Sequence, residues 1–250
     1  AETETQSHTI TPYTVDEFFM DLQNPLERMQ SAIIPDVYYY AGALSFIAGR
    51  TGHGKTTFLI NECIRQAEKQ KTAFISLEEN KNYVSKKLFI AHHNNDENKS
   101  KYENELLTLE LKNYAYNEHK DTVNELFNRV MIFDTPDRIE PLEKLILATH
   151  EREQINIFFI DYIQRIYFQD TSYNKMTRQE QIKHINSRLL NLAKEHNIYI
   201  IMGAQMSRES VKDKKENWNV ICRDDIYREA GDIEQDANLI INLWNSEKNK

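Results

Sequence analysis

A chain of 250 residues with 40% apolar content can bury one sizeable core, and its length favours one large domain plus a short appendage over two full domains. The net charge of −8 excludes a surface that traps polyanions everywhere, so any nucleic acid has to be held by a local feature such as a loop or a ring channel. No apolar run approaches the roughly eighteen residues of a membrane span, the acidic start Ala1–Thr5 is unlike a secretory signal, and two distant cysteines, Cys63 and Cys222, suit a reduced, cytoplasmic setting.

In chain order, residues 14–30 begin with a cap-like Thr14 and carry apolar residues at helical spacing, which predicts a short amphipathic linker or docking helix within an N-terminal segment, 1–30. Residues 31–250 are expected to form the main domain. Strand Ala43–Ala48, helix Thr56–Gln70 and strand Thr72–Leu77 come first, then a helical stretch from Asn82 to Phe127 interrupted by polar Asn94–Lys101. Strand Arg129–Phe133, helix Pro141–Arg152, strand Ile155–Ile160, helix Arg178–Glu195, strand Ile198–Met202 and strand Ala237–Trp244 complete the series. Alternating strands and helices predict an α/β fold with a mostly parallel, twisted sheet covered by helices on both faces. Two connections, Gln169–Met176 and Met206–Asp225, read as long and polar; the second contains Lys212, Lys214, Lys215 and Arg223 and is either a solvated charged loop or a functional one. The His92-His93 pair has no companion ligands in sequence, and no metal site is expected there.

Glycine is scarce, with only six in the chain, yet four of them, Gly42, Gly49, Gly52 and Gly54, fall within thirteen residues. Gly49-Arg50-Thr51-Gly52-His53-Gly54-Lys55-Thr56, followed by Thr57, matches G-x-x-x-x-G-K-[ST] after a strand and at the opening of a helix. Such a loop turns its N–H groups inward around phosphates, and the helix N-terminus adds partial positive charge. Lys55 is expected to reach the β- and γ-phosphates of ATP and the Thr56 hydroxyl to ligate Mg²⁺. Three further residues end apolar strands: Asp161 as the second magnesium residue, Glu78 as the base for an attacking water, and Gln205 facing the γ-phosphate and the loop beyond it. Glu79 reads instead as a charge serving the dipole of the following helix.

Gly49–Thr56, Ser76-Leu77-Glu78, Phe159–Gln164, Ala204-Gln205-Met206-Ser207-Arg208 and Arg228–Ala237 occur in an order that closely resembles the RecA-like motor domain of DnaB-type replicative helicases. The resemblance covers about Ala43 to Trp244, and Ile233-Glu234-Gln235-Asp236-Ala237 is its most distinctive part. Ala204 and one extra residue ahead of Arg228 depart from the family pattern.

The resemblance implies an ATP-hydrolysing DNA helicase in DNA replication, 5′→3′ on single-stranded DNA, assembled as a ring hexamer with a primase or helicase loader as partner. Glu78 matches the catalytic glutamate, Gln205 the glutamine that couples nucleotide state to the DNA loops, and Arg228, Glu229 and Gly231 the residues on the DNA backbone. No Lys-x-Arg finger segment is found before Lys250, so this stretch is expected to bind ATP, hydrolyse it slowly and assemble weakly. A DnaB-like ATP-binding adaptor with weak turnover is a second reading. A RecA/RadA-type recombinase is a third, and Glu234-Gln235-Asp236-Ala237 speaks against it.

Overall fold

The computed structural model describes residues 27–92, 120–121, 123–134, 137–206 and 233–244. The expectations for residues 14–26 and Asn94–Lys101, for Lys212, Lys214, Lys215, Arg228, Glu229 and Gly231, and for the end of the chain lie outside the described residues.

An antiparallel hairpin, β1 (Arg28–Gln30) and β2 (Tyr38–Tyr40), comes first. Residues 28–30 are thus strand and not the end of the helix expected over 14–30. Met29 is buried between exposed Arg28 and Gln30, a period of two, which three residues of sequence cannot separate from a helical period.

The main body alternates strand and helix: β3 (Ala43–Gly49), α1 (Lys55–Ala67), β4 (Thr72–Ser76), α2 (Lys81–His92), β5 (Val130–Asp134), α3 (Ile139–Glu153), β6 (Ile157–Asp161), α4 (Arg178–His196), β7 (Tyr199–Gln205), the one-turn α5 (Ile233–Asp236) and β8 (Ala237–Leu243). The strands of this body lie within three residues of their expected ends. Helix α3 starts before Pro141, because a proline in the first turn gives up an N–H that has no intrahelical partner there. Helix α4 opens on a full capping box between Thr177 and Glu180 and closes on Asn197 in the left-handed region. The Gln169–Met176 connection is more ordered than its polarity suggests. It holds a 3-10 turn over Thr171–Lys175, and Tyr173 stacks on Phe168 with ring centroids 3.8 Å apart.

Strands β3 to β8 form one six-stranded sheet in the order β5-β4-β6-β7-β3-β8, every neighbour parallel. Successive residues feed opposite faces. Phe46, Ala73, Ile75, Phe158, Ile160 and Ile200 join Ile139, Leu142, Ile146, Ile182, Ile185 and Leu189 from α3 and α4. Ile47, Phe74, Phe159 and Ile201 join Leu59, Ile60, Cys63, Val84 and Leu88 from α1 and α2. Both faces are buried, as the continuous apolar runs require, and the architecture is the RecA-like three-layer fold expected from sequence.

A buried carboxylate ties the hairpin to this body. Glu62 of α1 is fully buried and accepts from Ser31 Oγ at 2.9 Å, Ala32 N at 2.7 Å, Ile33 N at 3.2 Å and Gln66 Nε2 at 2.8 Å. These donors satisfy the charge, and the charge in turn satisfies backbone groups that no ladder reaches. Replacing Glu62 with Ala orphans several donors at once. The variant should lose about 3 kcal/mol of stability, read as a lowered urea midpoint with an unchanged slope.

Candidate functional site

The parallel register brings residues from distant segments to one edge of the sheet. Ser76 of β4 stands opposite Asp161 of β6, while Gly49 of β3 is flanked by Gln205 of β7 and Leu243 of β8. The ladder runs on past the strand ends, with Leu77 N–H donating to Asp161 O at 2.8 Å and Met206 N–H to Gly49 O at 3.1 Å.

From Gly49 the chain turns through Arg50–Gly54 into α1. Gly52 and Gly54 sit at φ of 77° and 90°, a left-handed backbone that side chains resist. Helix α1 begins with no side-chain cap and no acidic residue in its first turn, so its N-terminal N–H groups and dipole remain available to an anion. Beneath the loop is a cleft of about 220 Å³. Thr51, Gly52, Gly54, Lys55, Thr56 and Thr57 line it from the loop and helix, and Glu78, Asp161, Tyr162 and Gln205 line it from the strand ends. Of the expected nucleotide-binding residues, Gly49, Arg50 and His53 do not line the cleft. His53 instead meets the Trp244 ring edge-on, 5.4 Å between centroids.

Lys55 is largely buried and donates from Nζ to the carbonyls of Gly49 at 3.0 Å and Arg50 at 3.2 Å. Burial pulls its pKa below the ordinary lysine value, against the charges of Asp161 and Glu78. Asp161 is 2% exposed, and burial pushes its carboxyl above the usual range while the Thr56 hydrogen bond works in the other direction. The Thr56 hydroxyl donates to Asp161 Oδ2 at 2.6 Å, whereas Oδ1 is buried without a hydrogen-bond partner. Gln205 Nε2 donates to Thr51 Oγ1 at 2.9 Å, which joins the end of β7 to the glycine loop.

The two adjacent glutamates separate cleanly. Glu79 receives both its oxygens' bonds from Lys87 Nζ, at 2.7 and 2.8 Å, and its own N–H is held by Ser76 Oγ at 3.1 Å. Glu78 lines the cleft, with Arg165 Nη2 3.9 Å from its Oε1. Glu79 is therefore committed to α2, and Glu78 faces the cleft.

Several positioning residues are given no role by the one-dimensional reading. Gln164 accepts from Gln205 N–H and donates to Gln205 O, both at 3.0 Å. Arg178 donates to the carbonyls of Gln164 at 2.9 Å and Ile166 at 2.7 Å while stacking over Tyr167. A Cβ added at Gly203 would come within 3.0 Å of Asp161 Oδ1 and of Tyr162 Cβ, so glycine there leaves room for the carboxylate. The polar and small residues at the ends of β6 and β7 were the available signal, but only the register shows which of them meet.

Chemically, the arrangement offers an anion cradle made of backbone and one lysine, a hydroxyl–carboxylate pair with hard oxygen donors beside it, and a second carboxylate across the cleft.

The family model for the DnaB-like helicase C terminal domain matches residues 39–250. Replicative DNA helicases DnaB from Mycoplasma pneumoniae and Mycoplasma genitalium are 27% and 29% identical to the chain, over 87% and 84% of its length and 44% of theirs. The counterpart from Geobacillus stearothermophilus is 28% identical over 88% of the chain and 45% of its own length. The chain thus spans less than half the length of these relatives. Among solved structures, one described as an ATPase domain superposes with a TM-score of 0.64 at 22% identity, covering 84% of the chain and 72% of its own. A DnaB-like replicative helicase, described with its interactions with primase, gives a TM-score of 0.65 at 22% identity over 85% of the chain and 49% of its own.

The raised pKa of Asp161 has a measurable consequence. A carboxyl that binds its proton more tightly folded than unfolded loses stability as pH rises through the raised value. Asp161→Asn removes that cost and keeps an oxygen for Thr56. At neutral pH the variant should unfold at a higher temperature than the parent, and the gap should close as pH falls below the carboxylate range. A thermal melt series against pH checks it.

Proposed function

We propose, because the chain belongs to the DnaB-like helicase C-terminal domain family, that it is the ATP-driven motor of a replicative DNA helicase, working in a ring of six copies and moving 5′→3′ along single-stranded DNA. The observation that carries the motor reading is the convergence of Lys55, Thr56, Glu78, Asp161 and Gln205 on one cleft under a glycine loop. Each has a role in phosphoryl transfer to water. The loop N–H groups and Lys55 hold the β- and γ-phosphates, exchanging the lysine's bonds to the Gly49 and Arg50 carbonyls for phosphate oxygens. Glu78, the glutamate not claimed by Lys87, takes the proton of the attacking water. Gln205 ties the loop at Thr51 to the end of β7 and relays the nucleotide state.

A magnesium ion fits the residues present. The unpartnered buried Oδ1 of Asp161 and the Thr56 hydroxyl are hard oxygen donors side by side. Bound there, the ion offsets negative charge on the phosphates. Thr56 and Asp161 would hold it, and Asp161 orients Thr56 by accepting the hydrogen bond of its hydroxyl.

DNA contacts in this reading fall to Arg228, Glu229 and Gly231 and to Lys212, Lys214 and Lys215. Further partners are neighbouring copies and a primase or loader.

ATP hydrolysis and unwinding of a forked duplex test the whole reading. Glu78→Gln should lower kcat by about 10²–10⁴-fold with nucleotide affinity near that of the parent, while Glu79→Gln stays close to the parent. A large loss in Glu79→Gln with none in Glu78→Gln reverses the assignment, and the absence of any DNA-stimulated turnover favours an ATP-binding switch.

The DNA path has its own measurement. Arg228→Ala, or joint neutralisation of Lys212, Lys214 and Lys215, should weaken single-strand binding without sequence preference and flatten its salt dependence. Identical slopes of log affinity against log salt for parent and variants remove these residues from the path.

A further inference from the structure

Arg165 is a second cation at the cleft's rim, and it is built onto an unusually well-fixed turn. The 3-10 turn Ile163–Arg165 follows Asp161 by one residue and closes with Arg165 N–H on Tyr162 O and Ile166 N–H on Ile163 O, both 3.0 Å. Ile163 and Ile166 are both fully buried in the core. Gln164 is pinned to both polar groups of Gln205's backbone, and Arg178 holds the carbonyls of residues 164 and 166. The Arg165 side chain alone leaves the turn toward the site. Its guanidinium lies 6.0 Å from the Tyr162 ring centre, and its Nη2 is 3.9 Å from Glu78 Oε1. It also opposes the burial that raises the Tyr162 hydroxyl.

Glu78, by contrast, stands on a short connection between β4 and α2 whose other acidic residue is already held by Lys87 and Ser76. A half-exposed carboxylate there samples several rotamers, and only those turned into the cleft can meet a water beside a phosphate. A cation carried on a fixed turn on the β6 side biases the choice.

We propose that Arg165 is a positioning residue for hydrolysis, its guanidinium holding the Glu78 carboxylate in the orientation from which it takes a proton. The inference rests on the reading of Glu78 as general base. At 3.9 Å the contact is an ion pair and not a hydrogen bond. Arg165 acts within its own chain and moves no proton itself.

The test is a double-mutant cycle on the full chain, measuring kcat and KM for ATP in Arg165→Ala, Arg165→Lys, Glu78→Gln and the Arg165→Ala/Glu78→Gln pair. Misplacing a reacting group by about 1 Å can cost on the order of 100-fold. Arg165→Ala should therefore lower kcat by about 10-fold or more with KM within about twofold, and Arg165→Lys should restore most of it because one long contact asks only for a cation. In the Glu78→Gln background, Arg165→Ala should change kcat by no more than about twofold, since the group it positions is gone. An equal loss in both backgrounds would mean that Arg165 acts on the phosphates directly and overturns the proposal, as would an unaffected Arg165→Ala. Glu78→Gln at parental rate sinks the general-base reading by itself, whatever Arg165 does. Thermal melts identify any variant that fails to fold, and Arg165→Gln then replaces Arg165→Ala.

Discussion

Everything at this site depends on the parallel register of the sheet. Because all six strands point the same way, each delivers its last residue to one edge, and a lysine, a threonine, two carboxylates and a glutamine drawn from the span Lys55–Gln205 come into reach of one another. The two faces of the sheet are sealed by different helix pairs, which fixes the register. A slip of one residue would exchange Phe46 with Ile47 and Phe158 with Phe159 and turn both cores inside out.

That edge carries charge at a cost. Lys55 and Asp161 are both buried, and burial moves both pKa values against their charged forms although each lies in the other's field. Their mutual attraction does not fully offset desolvation. The same low-dielectric surroundings would strengthen their hold on a phosphate or a cation that arrives there. Stability is given up at the residues where binding is needed.

The sequence makes the strands, the glycine loop and the residues that end strands legible for definite reasons. Buried parallel strands read as continuous apolar runs, and glycine is scarce enough that its cluster stands out. The hairpin at residues 28–40 was not legible, since strands of three residues carry no period. Neither was the order within Gln169–Met176, where Tyr173 ties the turn to the core by stacking on Phe168. Glu62 sits among Leu59, Ile60, Cys63 and Ile64 on α1, a charge inside an apolar stripe, and that mismatch was a signal of its backbone-binding role. Glu78 and Glu79 were already told apart in the sequence, but the partner that commits Glu79 needed three dimensions, because Lys87 reaches back from well inside the next helix. The residues expected to meet DNA lie outside the described residues and remain proposals.

The reciprocal bond between Gln164 and Gln205 has a consequence in donor–acceptor logic. A primary amide is the one neutral side-chain group that imitates a peptide unit, one face giving and one receiving. At the point where β6 has ended and β7 continues, Gln164 supplies a counterfeit rung of ladder, so Gln205 keeps both its backbone groups paired on that side although the backbones have parted. A carboxylate of the same length could receive from the Gln205 N–H but would set its other oxygen against the Gln205 carbonyl. The position asks for an amide by its polarity pattern and not by its size, which makes glutamate, the nearest match in shape, among the poorest in kind.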